Sequence, residues 1–152
     1  MLANGELDVA ILTTGGGAPL EQRDRLLFEQ PLAWAVHKNG QCLKERPLRL
    51  AVARVGCPWR RAAIDALKYA GIPYQIAYLS NVSESQLAAV RADLAVAALP
   101  FSRIRNANQP ICINDELPKL PYTQIVLRTA VNPSENTKAL AAQVLSAFNR
   151  PA

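Results

Sequence analysis

A short apolar run in the second half of the chain constrains the fold more than any other feature. Residues 94–101 read Leu-Ala-Val-Ala-Ala-Leu-Pro-Phe, carry no charge and end in a proline turn signal. A continuous run of this length is typical of a strand buried on both faces, although periodicity alone does not exclude a buried helix. Such a strand needs helices on both sides of its sheet. We therefore predict an α/β fold with this strand near the middle of the sheet.

The segments that lead into the apolar run predict a β-α-β-α-β unit over residues 48–99. Strands are predicted at residues 48–53 and 74–79, and helices at residues 57–70 and 83–93. Ser83 and Gln86 match the S-x-x-Q capping box, which predicts that they cap the second helix. For this order of elements, parallel strands with right-handed crossovers are expected.

The remaining segments predict further elements at both ends of the chain. A strand is expected over residues 7–12, a second after Pro31, a third over residues 122–128 and a helix from Pro133 onward, with residues 101–120 irregular. A buried strand normally follows a helix, yet the first strand begins after only six residues. We therefore expect the chain to be the C-terminal part of a larger protein.

Composition excludes several classes of protein. The chain has 152 residues, half of them hydrophobic, which suffices for a core, but it contains no apolar run long enough for a membrane span and no signal-peptide pattern. We expect a cytoplasmic protein. The formal net charge of +5 comes from scattered basic residues, which favours an ordinary solvated surface over a nucleic-acid footprint.

No catalytic or metal-binding set is visible in the sequence. The single histidine, His37, has no nucleophile or acid at motif spacing, and the three cysteines are widely spaced. Cys57 lies at a predicted helix start, where we interpret it as a small buried residue rather than a nucleophile. We predict that the chain is not an enzyme and binds no metal or cofactor.

The order of elements resembles the effector-binding domain of LysR-type transcriptional regulators over essentially the whole chain. Three segments carry the resemblance: Gly5-Glu6-Leu7-Asp8-Val9-Ala10-Ile11, Glu29-Gln30-Pro31-Leu32-Ala33-Trp34-Ala35-Val36-His37, and residues 47–100 with their Leu-Ala-Val-Ala-Ala-Leu-Pro ending. The resemblance implies a two-lobed fold like that of periplasmic solute-binding proteins. Residues 1–30 and 122–152 would form a partial first lobe, and residues 31–121 a complete second lobe. The winged helix-turn-helix domain that binds DNA in this family would be absent.

The resemblance also implies a ligand and its binding residues. A small effector, expected to be an organic anion, would bind in the cleft between the lobes. Carried over by position, the residues lining it would be Thr13, Thr14, Ser80, Asn81, Leu99, Pro100 and Phe101. Asp93 departs from the family pattern, which usually has glycines before the buried strand.

Two other functions are compatible with the sequence, which also predicts an oligomer. A free-standing small-molecule-binding protein of the same fold is the main alternative, and a small hydrolase or transferase is the other. Because the first strand and the last helix would expose apolar surface, we expect a homodimer or higher oligomer. Leu145 and Phe148 belong to the apolar stripe predicted for that last helix.

Overall fold

The fold was obtained as a computed structural model, and the structure describes residues 6–15, 19–107 and 110–148. Its strands are β1 (Val9–Gly15), β2 (Asp24–His37), β3 (Leu48–Val52), β4 (Tyr74–Leu79), β5 (Val96–Pro100), β6 (Ile111–Asn114) and β7 (Tyr122–Thr129). Its helices are α1 (Pro58–Tyr69), α2 (Ser83–Arg91), α3 (Phe101–Arg105) and α4 (Glu135–Phe148), and a 3-10 turn covers Cys42–Lys44.

The chain forms two compact units. Unit 1 consists of Met1–Glu29 and Thr123–Ala152, and unit 2 consists of Gln30–Tyr122. Two strands carry the chain from one unit to the other, because the boundaries fall within β2 and β7.

The sheet of unit 2 has the strand order β2-β5-β3-β4, with β6 also paired to β2. Strand β3 runs parallel to both β4 and β5, whereas β2 is antiparallel to β5 and β6. Strand β5 is buried along its whole length and has a neighbour on each side. The predicted α/β fold with parallel strands and a central buried strand is therefore confirmed.

Alternate residues of the central strands belong to two separate hydrophobic clusters. On β5, Val96 and Ala98 belong to the cluster that contains Leu67 of α1. The intervening Ala97 and Leu99 belong to the cluster that contains Leu87 and Val90 of α2. Because side chains alternate between the two faces of a strand, the two clusters lie on opposite faces of the sheet. This arrangement explains why the sequence of β5 is apolar without alternation.

Unit 1 has a smaller core. Strand β1 pairs antiparallel with β7, which also neighbours β2. The buried residues Leu27, Leu127 and Ala141 form one cluster, with Val144 and Leu145 of α4 packed against it. The rings of Phe28 and Phe148 stack with their centroids 5.9 Å apart. Of the predicted apolar stripe of the last helix, Leu140 instead remains about half exposed.

Several local predictions were wrong. The first strand begins at Val9 rather than Leu7 and continues to Gly15, and the strand predicted after Pro31 already begins at Asp24. The region predicted to be irregular contains α3 and β6. The Ser83 capping box is not formed, since Val82 is the N-cap residue and no side chain caps the helix. These errors share a cause: pairing and packing partners from distant parts of the chain determine where short elements begin and end.

Candidate functional site

The candidate site of unit 2 lies at the carboxyl-terminal edge of its parallel strands. In the register, Val52 of β3 is paired with Leu79 of β4, and Ala51 of β3 is paired with Ala97 of β5. The segments that follow these three strands therefore start at the same edge of the sheet. Edges of this kind are where open α/β sheets bind their ligands.

Ser80 and Asn81 follow β4 at this edge, and their polar atoms organise the backbone around them. The Asn81 Oδ1 accepts a hydrogen bond of 3.0 Å from the backbone N–H of Arg54, in the loop after β3. The Ser80 Oγ accepts a hydrogen bond of 3.1 Å from the backbone N–H of Val82. Asn81 is exposed and its amide NH₂ has no hydrogen-bond acceptor among the described residues. A ligand oxygen could therefore accept from that NH₂ group while the Oδ1 holds the loop.

Leu99, Pro100 and Phe101 follow the buried strand at the same edge, but their exposures differ. Leu99 is fully buried in the hydrophobic cluster that contains Leu87 and Val90 of α2, and Pro100 is also buried. Phe101 begins α3 and leaves 38% of its surface exposed. Leu99 can therefore only shape the site from beneath, whereas the Phe101 ring is available to contact an apolar ligand body.

Sequence reasoning missed the loop between β3 and α1. The Arg60 guanidinium Nη1 donates a hydrogen bond of 3.0 Å to the carbonyl oxygen of Ala53, which ties the loop to the first turn of α1. A small cavity of about 10 Å³ lies under this loop, with Cys57 and Gln86 among its lining residues. The signal was available in the sequence, because residues 53–57 follow a strand and precede a helix start in the same way as Ser80 and Asn81 do.

Thr13 and Thr14 belong to unit 1. They were predicted to follow the first strand, but both lie within β1, where Thr13 pairs with Ile125 and Thr14 pairs with Gln124 of β7. The Thr14 hydroxyl donates a hydrogen bond of 3.3 Å to the Gln124 side-chain oxygen. The Thr13 side chain is exposed, so its hydroxyl can be reached from solvent. The glycine loop that follows, residues 16–18, lies outside the described residues.

The described part of the chain contains no cluster of three or more histidine, cysteine or acidic side chains that could hold a metal ion. All three cysteines are free thiols, and burial raises the pKa of the Cys42 thiol. Within the same residues, no helix has the length and apolar character needed to cross a bilayer. At the edge of unit 2, the Asn81 amide and the Ser80 hydroxyl supply hydrogen-bonding groups, and Phe101 supplies an aromatic ring.

Comparison with known proteins identifies a family. The family model described as "LysR substrate binding domain" matches residues 1–149. The HTH-type transcriptional regulator PecT of Dickeya dadantii is 28% identical over 147 residues, which cover 96% of this chain and 46% of PecT. The chain thus spans about half the length of this curated relative.

Solved structures share the fold at low sequence identity. The regulatory domain of HypT from Salmonella typhimurium has a TM-score of 0.76 at 17% identity, over 95% of this chain and 74% of that chain. The regulatory domain of CcmR from Synechocystis PCC6803, solved in complex with 2-PG, has a TM-score of 0.72 at 14% identity, over 98% of this chain and 77% of that chain. Full-length CbnR complexed with its target DNA has a TM-score of 0.65 at 17% identity, over 97% of this chain and 55% of that chain.

Proposed function

The chain belongs to the LysR substrate-binding domain family, and on this premise we propose that it is the effector-binding and dimerisation domain of a LysR-type transcriptional regulator. The family match over residues 1–149 is the observation that carries the proposal. The α/β fold of unit 2, with its strand ends gathered at one edge, is consistent with ligand binding.

The proposed effector is a small organic anion. Its oxygens would accept hydrogen bonds from the Ser80 hydroxyl and the Asn81 amide, and from the exposed Thr13 hydroxyl. Thr14 would contribute only the acceptor side of its hydroxyl, because its hydrogen is donated to Gln124. Its apolar body would contact Phe101, with Pro100 and Leu99 beneath. The regulatory domain of HypT has been solved with a bromide ion bound, which supports an anionic ligand in a protein of this fold.

We further propose that the chain forms a homodimer or higher oligomer. Unit 1 supports this, because Ile11 on β1 and Leu140 on α4 are each about half exposed. Where such exposed apolar side chains form a contiguous patch, a partner usually covers it. The full-length relative CbnR has been solved on its target DNA. Any DNA binding by the whole regulator would belong to a winged helix-turn-helix region outside these 152 residues, and the site of action would be the cytoplasm.

Native mass spectrometry of the purified chain tests both parts of the proposal, because it reports the oligomer mass and any bound small molecule in one spectrum. We expect a dimer and saturable binding of a member of a small organic-acid library. Replacing Thr13 by valine removes an exposed hydroxyl without changing side-chain shape, and it should weaken that binding by about tenfold.

The matched control is Ser146→Ala, which removes a hydroxyl from an exposed position of α4 and should leave the binding unchanged. Equal affinities of the Thr13→Val and control variants would contradict the proposed site. A monomer that still binds an organic acid would instead favour a free-standing binding protein.

A further inference from the structure

Unit 1 contains an open cavity of about 540 Å³ that is rich in arginine. We name it the arginine recess; it is lined by residues 21–23, Arg25, residues 129–131 and Pro133. None of the residues proposed for the effector lines it. The guanidinium groups of the recess are therefore free to bind a ligand other than the effector.

The two carboxylates beside the recess are already committed to Arg128. Asp24 is almost fully buried, and its two oxygens accept hydrogen bonds of 2.6 Å and 2.9 Å from the Nε and Nη2 of Arg128. The third nitrogen of Arg128, Nη1, lies 2.8 Å from Oε1 of Glu21. The Arg128 guanidinium lowers the pKa of the Asp24 carboxyl, so this pair stays charged at neutral pH.

Arg23 shares the Glu21 carboxylate with Arg128, and Arg25 has no carboxylate contact among the described residues. The nearest acidic contact of Arg23 is a 3.5 Å approach of its Nη2 to Glu21, which Arg128 already engages more closely. The Arg23 Nη1 is buried and has no hydrogen-bond partner among the described residues. Arg25 uses its Nη1 for the carbonyl oxygens of Gln22 and Asp24, at 3.2 Å and 3.0 Å. The recess thus contains guanidinium N–H groups, on Arg25 above all, that have no acceptor among the described residues.

The turn that carries these arginines is held in place before any ligand arrives. The Asp24 backbone N–H donates to the Glu21 carbonyl at 2.8 Å, and the Glu21 backbone N–H donates to Asp24 Oδ2 at 3.0 Å. Thr129 also lines the recess and carries a hydroxyl. Prearranged guanidinium groups favour ligands with several charged oxygens, because they form short charge-assisted hydrogen bonds with them.

We propose that the arginine recess is a second binding site, which takes the phosphate group of a small metabolite or free inorganic phosphate. The three terminal oxygens of a phosphate group supply acceptors for Arg23, Arg25 and Thr129 together. Because the Glu21 carboxylate already lies 3.5 Å from the Arg23 guanidinium, it competes with the phosphate group for Arg23 and weakens phosphate binding.

The test is an NMR titration of the ¹⁵N-labelled 152-residue chain with inorganic phosphate, against chloride at equal ionic strength. Saturable shifts are expected for the amides of residues 21–25 and 129–131. Arg23→Gln and Arg25→Gln should each weaken phosphate binding by about tenfold. Glu21→Gln should strengthen it several-fold, because it frees a guanidinium. A parallel titration with glycerol phosphate distinguishes the two sources, since tighter binding of the ester indicates a metabolite.

Two control variants separate a site from general charge effects. Arg61→Gln and Glu84→Gln make the same charge changes at exposed positions of unit 2 and should leave phosphate binding unaltered. Arg25 is exposed, so its variant retains the fold even if Arg23→Gln does not. The proposal is overturned if chloride produces the same shifts, or if the control variants change the affinity as much as Arg25→Gln and Glu21→Gln do. Because the effector residues are elsewhere, this result is independent of the Thr13→Val experiment.

Discussion

At the scale of single residues, Asp93 stabilises the end of α2 through side-chain hydrogen bonds, at a position where the family usually has glycine. It adopts a left-handed backbone conformation with φ of 53°, two residues after the end of α2. Its carboxylate accepts hydrogen bonds from the backbone N–H groups of Gln41 and Cys42, at 2.7 Å and 3.2 Å. Left-handed geometry costs energy in a residue with a Cβ, and these two charge-assisted bonds offset that cost.

The Asp93 carboxylate fits only because residue 40 is glycine. A Cβ built on Gly40 would lie 2.7 Å from the Asp93 Cγ and 2.9 Å from the His37 Cβ. Gly40→Ala should therefore displace the carboxylate and destabilise the fold by about 2 kcal/mol. Urea denaturation measures this as a lower midpoint.

Two further variants make the prediction for Gly40 specific. Gly15→Ala is the control, since a Cβ there meets nothing within 4 Å, and its effect should stay within about 0.5 kcal/mol. In the Gly40→Ala/Asp93→Gly double variant, the loss should be smaller than the sum of the single losses, because the obstructing carboxylate is gone. Additive losses would show that the carboxylate is not what restricts residue 40.

At the scale of elements, the start of α2 depends on Gln86 and Ser80 rather than on Ser83. The Gln86 side chain is 3% exposed and donates a hydrogen bond of 2.7 Å to the carbonyl oxygen of Ser80. Gln86 thereby reaches back beyond the helix start, as glutamine does in a capping box, but here its amide donates to a carbonyl, whereas a capping-box glutamine accepts from the N-cap backbone N–H. The contact joins the end of β4 to α2.

This arrangement predicts opposite results for two neighbouring substitutions. Gln86→Ala removes a buried hydrogen bond and should lower the free energy of unfolding by about 1 to 3 kcal/mol. Ser83→Ala should change it by less than about 0.5 kcal/mol, because Ser83 caps nothing. Thermal or urea unfolding of the two variants gives the comparison. A larger loss for Ser83→Ala than for Gln86→Ala would contradict this account and indicate that the Ser83 side chain caps α2.

At the scale of the whole molecule, the two units differ in how much apolar surface they bury. In the described part of the chain, unit 2 contains two large hydrophobic clusters, whereas the cluster of unit 1 has three buried members. Burial of apolar surface is the main source of stability, so the units should not be equally stable.

Native-state hydrogen exchange measures this difference directly. We expect the amides of β3 and β5 to exchange most slowly, through the largest opening of the molecule, and the amides of β1 and α4 to exchange at lower opening free energies. Equal protection of β1 and β5 without ligand would contradict the prediction.

The sequence by itself determined the α/β fold and most of unit 2. The uncharged run at β5, the strand at β4 and the amphipathic α1 could all be recognised in the sequence. An element buried on one face has apolar residues at its own period, and a strand buried on both faces is apolar throughout. The family was visible for the same reason, through an ordered series of such segments. The sequence also placed Ser80 and Asn81 just beyond a strand end.

Only the tertiary structure decided the details that depend on distant partners. The contact between Gln86 and the Ser80 carbonyl, the fit of Asp93 against Gly40, and the pairing of Asp24 with Arg128 leave no periodic signal. The surplus of guanidinium groups in the arginine recess follows from the last of these pairs, which joins residues 104 positions apart. Local sequence patterns indicate which face of an element is buried, whereas the residues that contact this face are determined by the tertiary fold.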